Sequence, residues 1–330
     1  MTLVELMVSL AVTALVMASV VGIFASQHRN YVRDRSEKEV LLDTVDVVRV
    51  LERDLREAGW SVPVNMALFI EDGGDNGPDR IYINDVDLID PMLHASRLVE
   101  SSCPGCLRVA SLSGSQVTVM DPWDPSPYPE DILDINGDNQ TDFLADTASY
   151  QFVITDDTST TKKIARITNV SSTTLTLTNA VDGTRLAPAI YYCVDIGAAD
   201  CHPNGALETR VLRRSDRNTQ GLVPVADNVV DLQVAYLAAN DDGTTFWYGE
   251  NGCSGSGLGA TKCTRSPFEP ERIRLIRLTV VLRSSSKDKD RLNDPRYCRP
   301  AVENRQAGTG PDDCGYQYKV HTIHIHPRNT

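Results

Sequence analysis

Residues 3–25 form an apolar run broken by a single charge, Glu5, and no proline occurs before Pro63. About 20 apolar residues suffice to cross a bilayer core as a helix, so the segment needs a membrane or a packed helical core around it. An ionised side chain inside such a segment costs roughly 2.5–3.5 kcal/mol on insertion scales and calls for a partner. The pull of the helix dipole on a carboxylate, about 0.3–1 kcal/mol, is too weak to offset that. The α-amine of Met1 lies one helical turn from Glu5. Each charge can therefore meet its complement on a neighbouring copy staggered along a shared axis.

The helical pattern does not stop at the apolar run. Neither Pro nor Gly occurs from 26 to 58, and Leu41, Val45, Val48, Leu51, Leu55 and Ala58 recur at spacings of three and four, which predicts one apolar stripe. Arg49, Glu52, Arg53, Arg56 and Glu57 take the other faces, and Gly59 supplies a stop. The expected product is one helix of roughly 60 residues, about 85 Å long. Residues 1–26 form its membrane or filament-core half and residues 27–59 its amphipathic continuation.

Residues 60–330 read as β with long loops, enough chain for two sheets or subdomains. Alternating or β-branched runs occur at 80–86, 107–112, 116–120, 150–155, 163–170, 173–178, 189–194, 229–237, 273–283 and 318–326, separated by Asp-, Gly-, Pro- and Ser-rich segments. The fold class is α+β, with the long N-terminal helix packed on an antiparallel β-rich head whose loops are pinned by disulfides.

The sequence T-L-V-E-L-M-V-S-L at 2–10 resembles the mature N-terminus of type IV pilins and type II secretion pseudopilins. R-D-L-R-E-A-G-W at 53–60, L-V-P-V-A-D-N-V-V-D-L-Q-V-A-Y at 222–236, R-I-R-L-I-R-L-T-V-V-L-R at 272–283 and Y-K-V-H-T-I-H-I-H-P-R-N at 318–329 resemble, in this order, the PilW-like minor pilins. These are large relatives of the J-type pseudopilin. The resemblance implies cleavage of a leader, N-methylation of Met1 and neutralisation of the next subunit's amine by Glu5. No leader precedes Met1, as expected of a processed chain. Met1 stands where Phe is commoner and Gly22 where many pilins carry Pro.

The resemblance further implies other pilins as partners, a tip adhesin beside them, and a role in initiating or capping a pilus that serves adhesion or motility. The chain would sit in the bacterial inner membrane with its head in the periplasm before assembly, then in the extracellular pilus. A major pilin or secretion pseudopilin is the first alternative. An exported binding domain tethered by a membrane helix is the second.

With 45 acidic against 32 basic residues the net charge is −13, which argues against duplex DNA as a partner. Eight cysteines after an export-type N-terminus read as disulfides in an oxidising compartment. Loop shortness favours the local pairs Cys103–Cys106, Cys193–Cys201, Cys253–Cys263 and Cys298–Cys314, although sequence does not fix connectivity. Cys103-Pro-Gly-Cys106 has redox spacing, but a strand-like segment follows it where a redox motif opens a helix, so a structural turn is the reading.

Asp134, Asn136, Asp138 and Asp142 place oxygen side chains at positions 1, 3, 5 and 9 of a calcium-type loop, with a backbone carbonyl at Gln140. Asn139 replaces the usual glycine and Ala145 the closing acid, so the segment also reads as a solvated turn. Calcium is the one cofactor these residues suggest. The loop at 71–79 lacks that alternation and reads as a turn. His324 and His326 would share a strand face near His321, a zinc-like pair without a third ligand. No nucleophile comes with a recognisable base and no phosphate loop occurs, so an enzyme is not expected.

Overall fold

A computed structural model describes residues 3–60, 62–73, 77–84, 103, 106–120, 151–157, 163–171, 174–197, 201, 210–216, 221–239, 243–249, 269–288 and 291–327. The architecture is α+β. One helix, α1 (Leu3–Glu57), runs 55 residues without a break, about 82 Å at 1.5 Å per residue. Its Leu3–Val32 part contains an 18-residue stretch with a mean hydropathy of 2.4, none of it buried, and is long and apolar enough to cross a membrane.

The last five turns of α1 are buried in the head through Val40, Thr44, Val47, Leu51, Leu55 and Ala58. The expected stripe holds from Leu51 onward, but before it the buried face is rotated by one residue. Leu41 and Val45 are 52% and 59% exposed. The segment from Val40 to Leu51 is apolar on more than one face, so spacing alone does not choose which row meets the sheet. Thr44 joins the buried row because its hydroxyl donates to the Val40 carbonyl at 2.6 Å.

Gly59 ends the helix with a φ of 85°, the left-handed exit that a Cβ would strain. The buried Asn84 side chain fixes this exit from the sheet. Its Oδ1 accepts from the Gly59 N–H at 2.7 Å and its Nδ2 donates to the Trp60 carbonyl at 3.0 Å. Trp60 then packs against one of the two main cores.

Among the described residues, fourteen strands follow in two antiparallel sheets. They are β1 (Leu68–Glu71), β2 (Arg80–Asn84), β3 (Leu107–Ser113), β4 (Gln116–Met120), β5 (Phe152–Thr155), β6 (Ile164–Ser171), β7 (Thr174–Leu177), β8 (Arg185–Asp195), β9 (Val211–Asp216), β10 (Gly221–Ala226), β11 (Val229–Ala239), β12 (Thr245–Tyr248), β13 (Ile273–Arg283) and β14 (Tyr318–Ile325). All ten sequence-predicted runs are strands; β1, β9, β10 and β12 are additional.

β8 is the spine of the larger sheet. Its first half closes a six-strand circuit, β8-β3-β4-β7-β6-β5 and back to β8, around Val117, Val153, Ile167, Leu175 and Leu186. Its second half carries β2 and β1 on one edge and β9 and β10 on the other. Pro188 sits where the pairing with β3 at 185–186 has ended and the pairing with β2 at 189–192 has not begun, so its missing N–H leaves no ladder bond unmade there. On the opposite edge the gap between β5 and β9 falls at Tyr191, whose N–H donates instead to Ser215 Oγ at 2.8 Å. The second sheet has the order β12-β11-β13-β14. α1 packs on β13, β14 and β10, and β11 packs on β8 and β9, so one core joins helix and both sheets.

Leu51→Ala should lower the unfolding free energy of the head by about 2–5 kcal/mol, whereas Leu41→Ala should change it by less than about 0.5 kcal/mol. Denaturant unfolding of the full chain in detergent checks both.

Candidate functional site: the helix and its buried polar anchors

Glu5 lies in the first turn of α1, inside the unburied Leu3–Val32 segment. Met1, its expected partner on a second copy, lies outside the described residues. Toward its other end the helix carries a carboxylate that is inside the protein. Asp54 is 2% exposed. It accepts from the Tyr192 hydroxyl at 2.5 Å and from Arg214 Nε at 3.1 Å, while Arg53 reaches its other oxygen at 2.8 Å. Arg214 Nε also donates to the Tyr192 oxygen at 3.0 Å. Burial, and then the Asp54 charge, push the Tyr192 hydroxyl well above the usual tyrosine range, so it stays a donor. Truncating one member of such a buried set strands the others.

A second buried carboxylate lies in the loop between β1 and β2. Asp79 bridges that loop to the free side of β11: its N–H donates to the Leu232 carbonyl at 2.7 Å and its Oδ2 accepts from the Val234 N–H at 2.7 Å. Its Oδ1 accepts from the Gly73 N–H at 2.9 Å, closing a turn so tight that a Cβ on Gly73 would lie 2.7 Å from the Gly77 carbonyl oxygen. Residues 74–76 of this segment lie outside the described residues; its two described ends meet at Asp79, which also caps a strand edge. Burial, with Asp72 nearby, raises the Asp79 carboxyl well above its ordinary value.

Asp231 is the third. It projects from β11 toward the segment 291–316, where Arg305 meets it at 2.7 Å and Arg299 at 3.3 Å, and Gln233 Nε2 on β11 itself donates to it at 2.9 Å. Burial raises its carboxyl despite the two guanidinium groups. On the neighbouring strand Arg277 clamps Glu303 at 2.9 and 2.6 Å and stacks over Trp247 with 4.4 Å to the ring centroid. These groups fasten the C-terminal segment to the sheet. Their geometry is structural, since each carboxylate is occupied by protein donors.

Disulfides join Cys103 to Cys106, Cys193 to Cys201 and Cys298 to Cys314, with Cα separations of 5.4, 6.0 and 3.9 Å. β3 begins directly after Cys106. Cys253 and Cys263 lie outside the described residues, as does the whole calcium-type loop of Asp134, Asn136, Asp138, Gln140 and Asp142. His324 pairs across the sheet with Arg277, and His326 Nδ1 lies 3.1 Å from the Arg274 carbonyl oxygen. Among the described residues no group of three or more His, Cys, Asp or Glu side chains could hold a metal ion.

No family model, curated protein or solved structure matches the chain. Asp54, Asp79 and Asp231 were not singled out by sequence, yet the first and the last carried a signal. Asp54 shares the buried face of α1 with Leu51, and Asp231 interrupts the apolar run of β11. A charge on a face that must be buried announces a fixed partner.

The folded state holds the Asp79 proton more tightly than the unfolded chain does, so this carboxyl contributes stability at low pH that is lost as pH rises from its unfolded value near 3.8 through the raised folded value. Asp79→Asn should therefore flatten the fall of the unfolding midpoint with rising pH over that window. Midpoints measured across a pH series on both proteins check this.

Proposed function

We propose that this chain is a type IV pilin-like filament subunit, most closely a PilW-like minor pilin that starts or caps a pilus, and not an enzyme. The observation that carries the reading is a single rigid helix with two unlike ends. Its stretch from 3 to 25 is apolar and unburied with one carboxylate in the first turn, while its last turns are fixed into a β head through Asp54 and the Val40–Ala58 face. Such a rod gives the head a defined pose relative to whatever surrounds the apolar end, as assembly from repeated helices requires. The polymerisation chemistry comes from pairing Glu5 with the Met1 amine of a neighbour. The cysteine pairs pin short loops of the head, as suits export. On this reading the chain rests in the inner membrane with the head in the periplasm until other pilins, and an adhesin at the tip, draw it into the fibre.

A tethered exported binding domain would need only the membrane anchor, and the two readings part at Glu5. Glu5→Ala should leave the protein inserted in the membrane but largely absent from sheared filaments, because the stranded neighbouring amine costs roughly 3–5 kcal/mol in a buried pair. Quantitative immunoblotting of membranes and filaments measures it; normal recovery in filaments overturns the reading. The copy number in the wild-type filaments separates a minor from a major subunit.

A further inference from the structure

β14 ends the second sheet, and among the described residues nothing pairs with its outer side. Its register with β13 runs from Tyr318 to Ile325 without a bulge or a proline, giving about 27 Å of continuous edge. Beside this edge α1 leaves the head, and between them opens a cavity of about 380 Å³. Asp34, Lys38, Val40 and Leu41 line it from the helix, and Gln317, Tyr318 and Lys319 from the strand side. Lys38 and Lys319 are exposed, and among the described residues neither makes an ion pair. Among the described lining residues two ammonium groups stand against one carboxylate, on a chain whose net charge is −13.

We propose that the groove between α1 and β14 binds an extended acidic segment of a partner polypeptide as an added β-strand, with a carboxylate held between Lys38 and Lys319 and an apolar side chain against Val40 and Leu41. Main-chain hydrogen bonds to β14 supply affinity, and the cavity supplies selectivity through one side chain, the division of labour seen in strand addition generally. Lys319 serves two purposes: on a bare edge it repels indiscriminate pairing with basic or neutral strands, and it rewards a strand that brings a negative charge. Leu41 is 52% exposed and Val320 40%, apolar area that such a strand would cover. The proposal needs only the head and its helix, so it stands or falls independently of Glu5 and of filament assembly.

The test uses the full chain in detergent and fluorescence anisotropy with three labelled eight-residue probes. One alternates valine and threonine with two glutamates, one has lysines in place of the glutamates, and one is the glutamate peptide with alternate backbone nitrogens methylated. The glutamate peptide should bind, the lysine peptide should bind roughly tenfold more weakly or worse, and backbone methylation should abolish binding. Lys38→Glu with Lys319→Glu should reverse the preference between the first two peptides, a result that simple unfolding cannot give; the single change Lys319→Glu should weaken the preference if the pair is poorly expressed. Equal binding of both charge types, undiminished binding of the methylated peptide, or no binding of any peptide would each overturn the proposal. So would displacement of the glutamate peptide by phosphatidylglycerol micelles as effective as by unlabelled peptide, which would assign the cavity to lipid.

Discussion

The contact between Asp54 and Tyr192 joins the two unlike parts of this protein. A helix that is apolar all round for about six turns has no intrinsic reason to hold one rotation about its axis, and the hydrophobic face from Val40 to Ala58 fixes that rotation only coarsely. The buried carboxylate narrows it, because the Tyr192 hydroxyl on β8 and the Arg214 guanidinium on β9 meet it from fixed positions. Displacing α1 by one turn would leave Asp54 inside without donors, at several kcal/mol. Register between rod and head is thus set by polar complementarity, while cohesion comes from the apolar core around it.

β8 organises the rest by serving different neighbours along its length. Its lower half is a stave of a closed barrel and its upper half the centre of an open sheet. The change of partners is written into two positions, Pro188 on one edge and Tyr191 on the other, where ladder bonds are absent or replaced by Ser215. Tyr82, Phe152 and Tyr191 cluster at this junction with ring centroids 4.6–5.3 Å apart, so the seam between the two halves is also an aromatic knot.

Much of this architecture was legible in the chain. The long helix follows from the absence of Pro and Gly, its end from Gly59, and ten strands from alternation. The row chosen by α1 was not, because Leu41, Val45 and Val48 make as good a stripe as Val40, Thr44 and Val47 until β14 is placed beside them. β8 begins at Arg185, four residues before the sequence-based start, because Pro188 reads as a strand breaker and only the handover between β3 and β2 makes it harmless. β9 and β10 contain Arg213, Arg214 and Pro224, whose polarity hides the pattern; Arg213 is buried because Asp195 neutralises it at 2.8 Å. Of the residues given a proposed role, Glu5 was visible because the bland account of a charge in an apolar run, the helix dipole, is too weak, whereas Lys38 and Lys319 lie about 280 residues apart and meet only in three dimensions.

The five turns of α1 that enter the head also determine how the molecule bears load. Val40, Thr44, Val47, Leu51, Leu55 and Ala58 are spread over about 27 Å of axis, and the Asp54 cluster lies near their far end. A pull along the helix must shear all of these contacts together, so no single one gives way first; only a sideways force could peel them apart in sequence. The unburied stretch before Val40 contains one glycine, Gly22, with nothing within 4 Å of its Cβ position. Under axial tension that residue is where the rod can lengthen by uncoiling locally while the head stays seated.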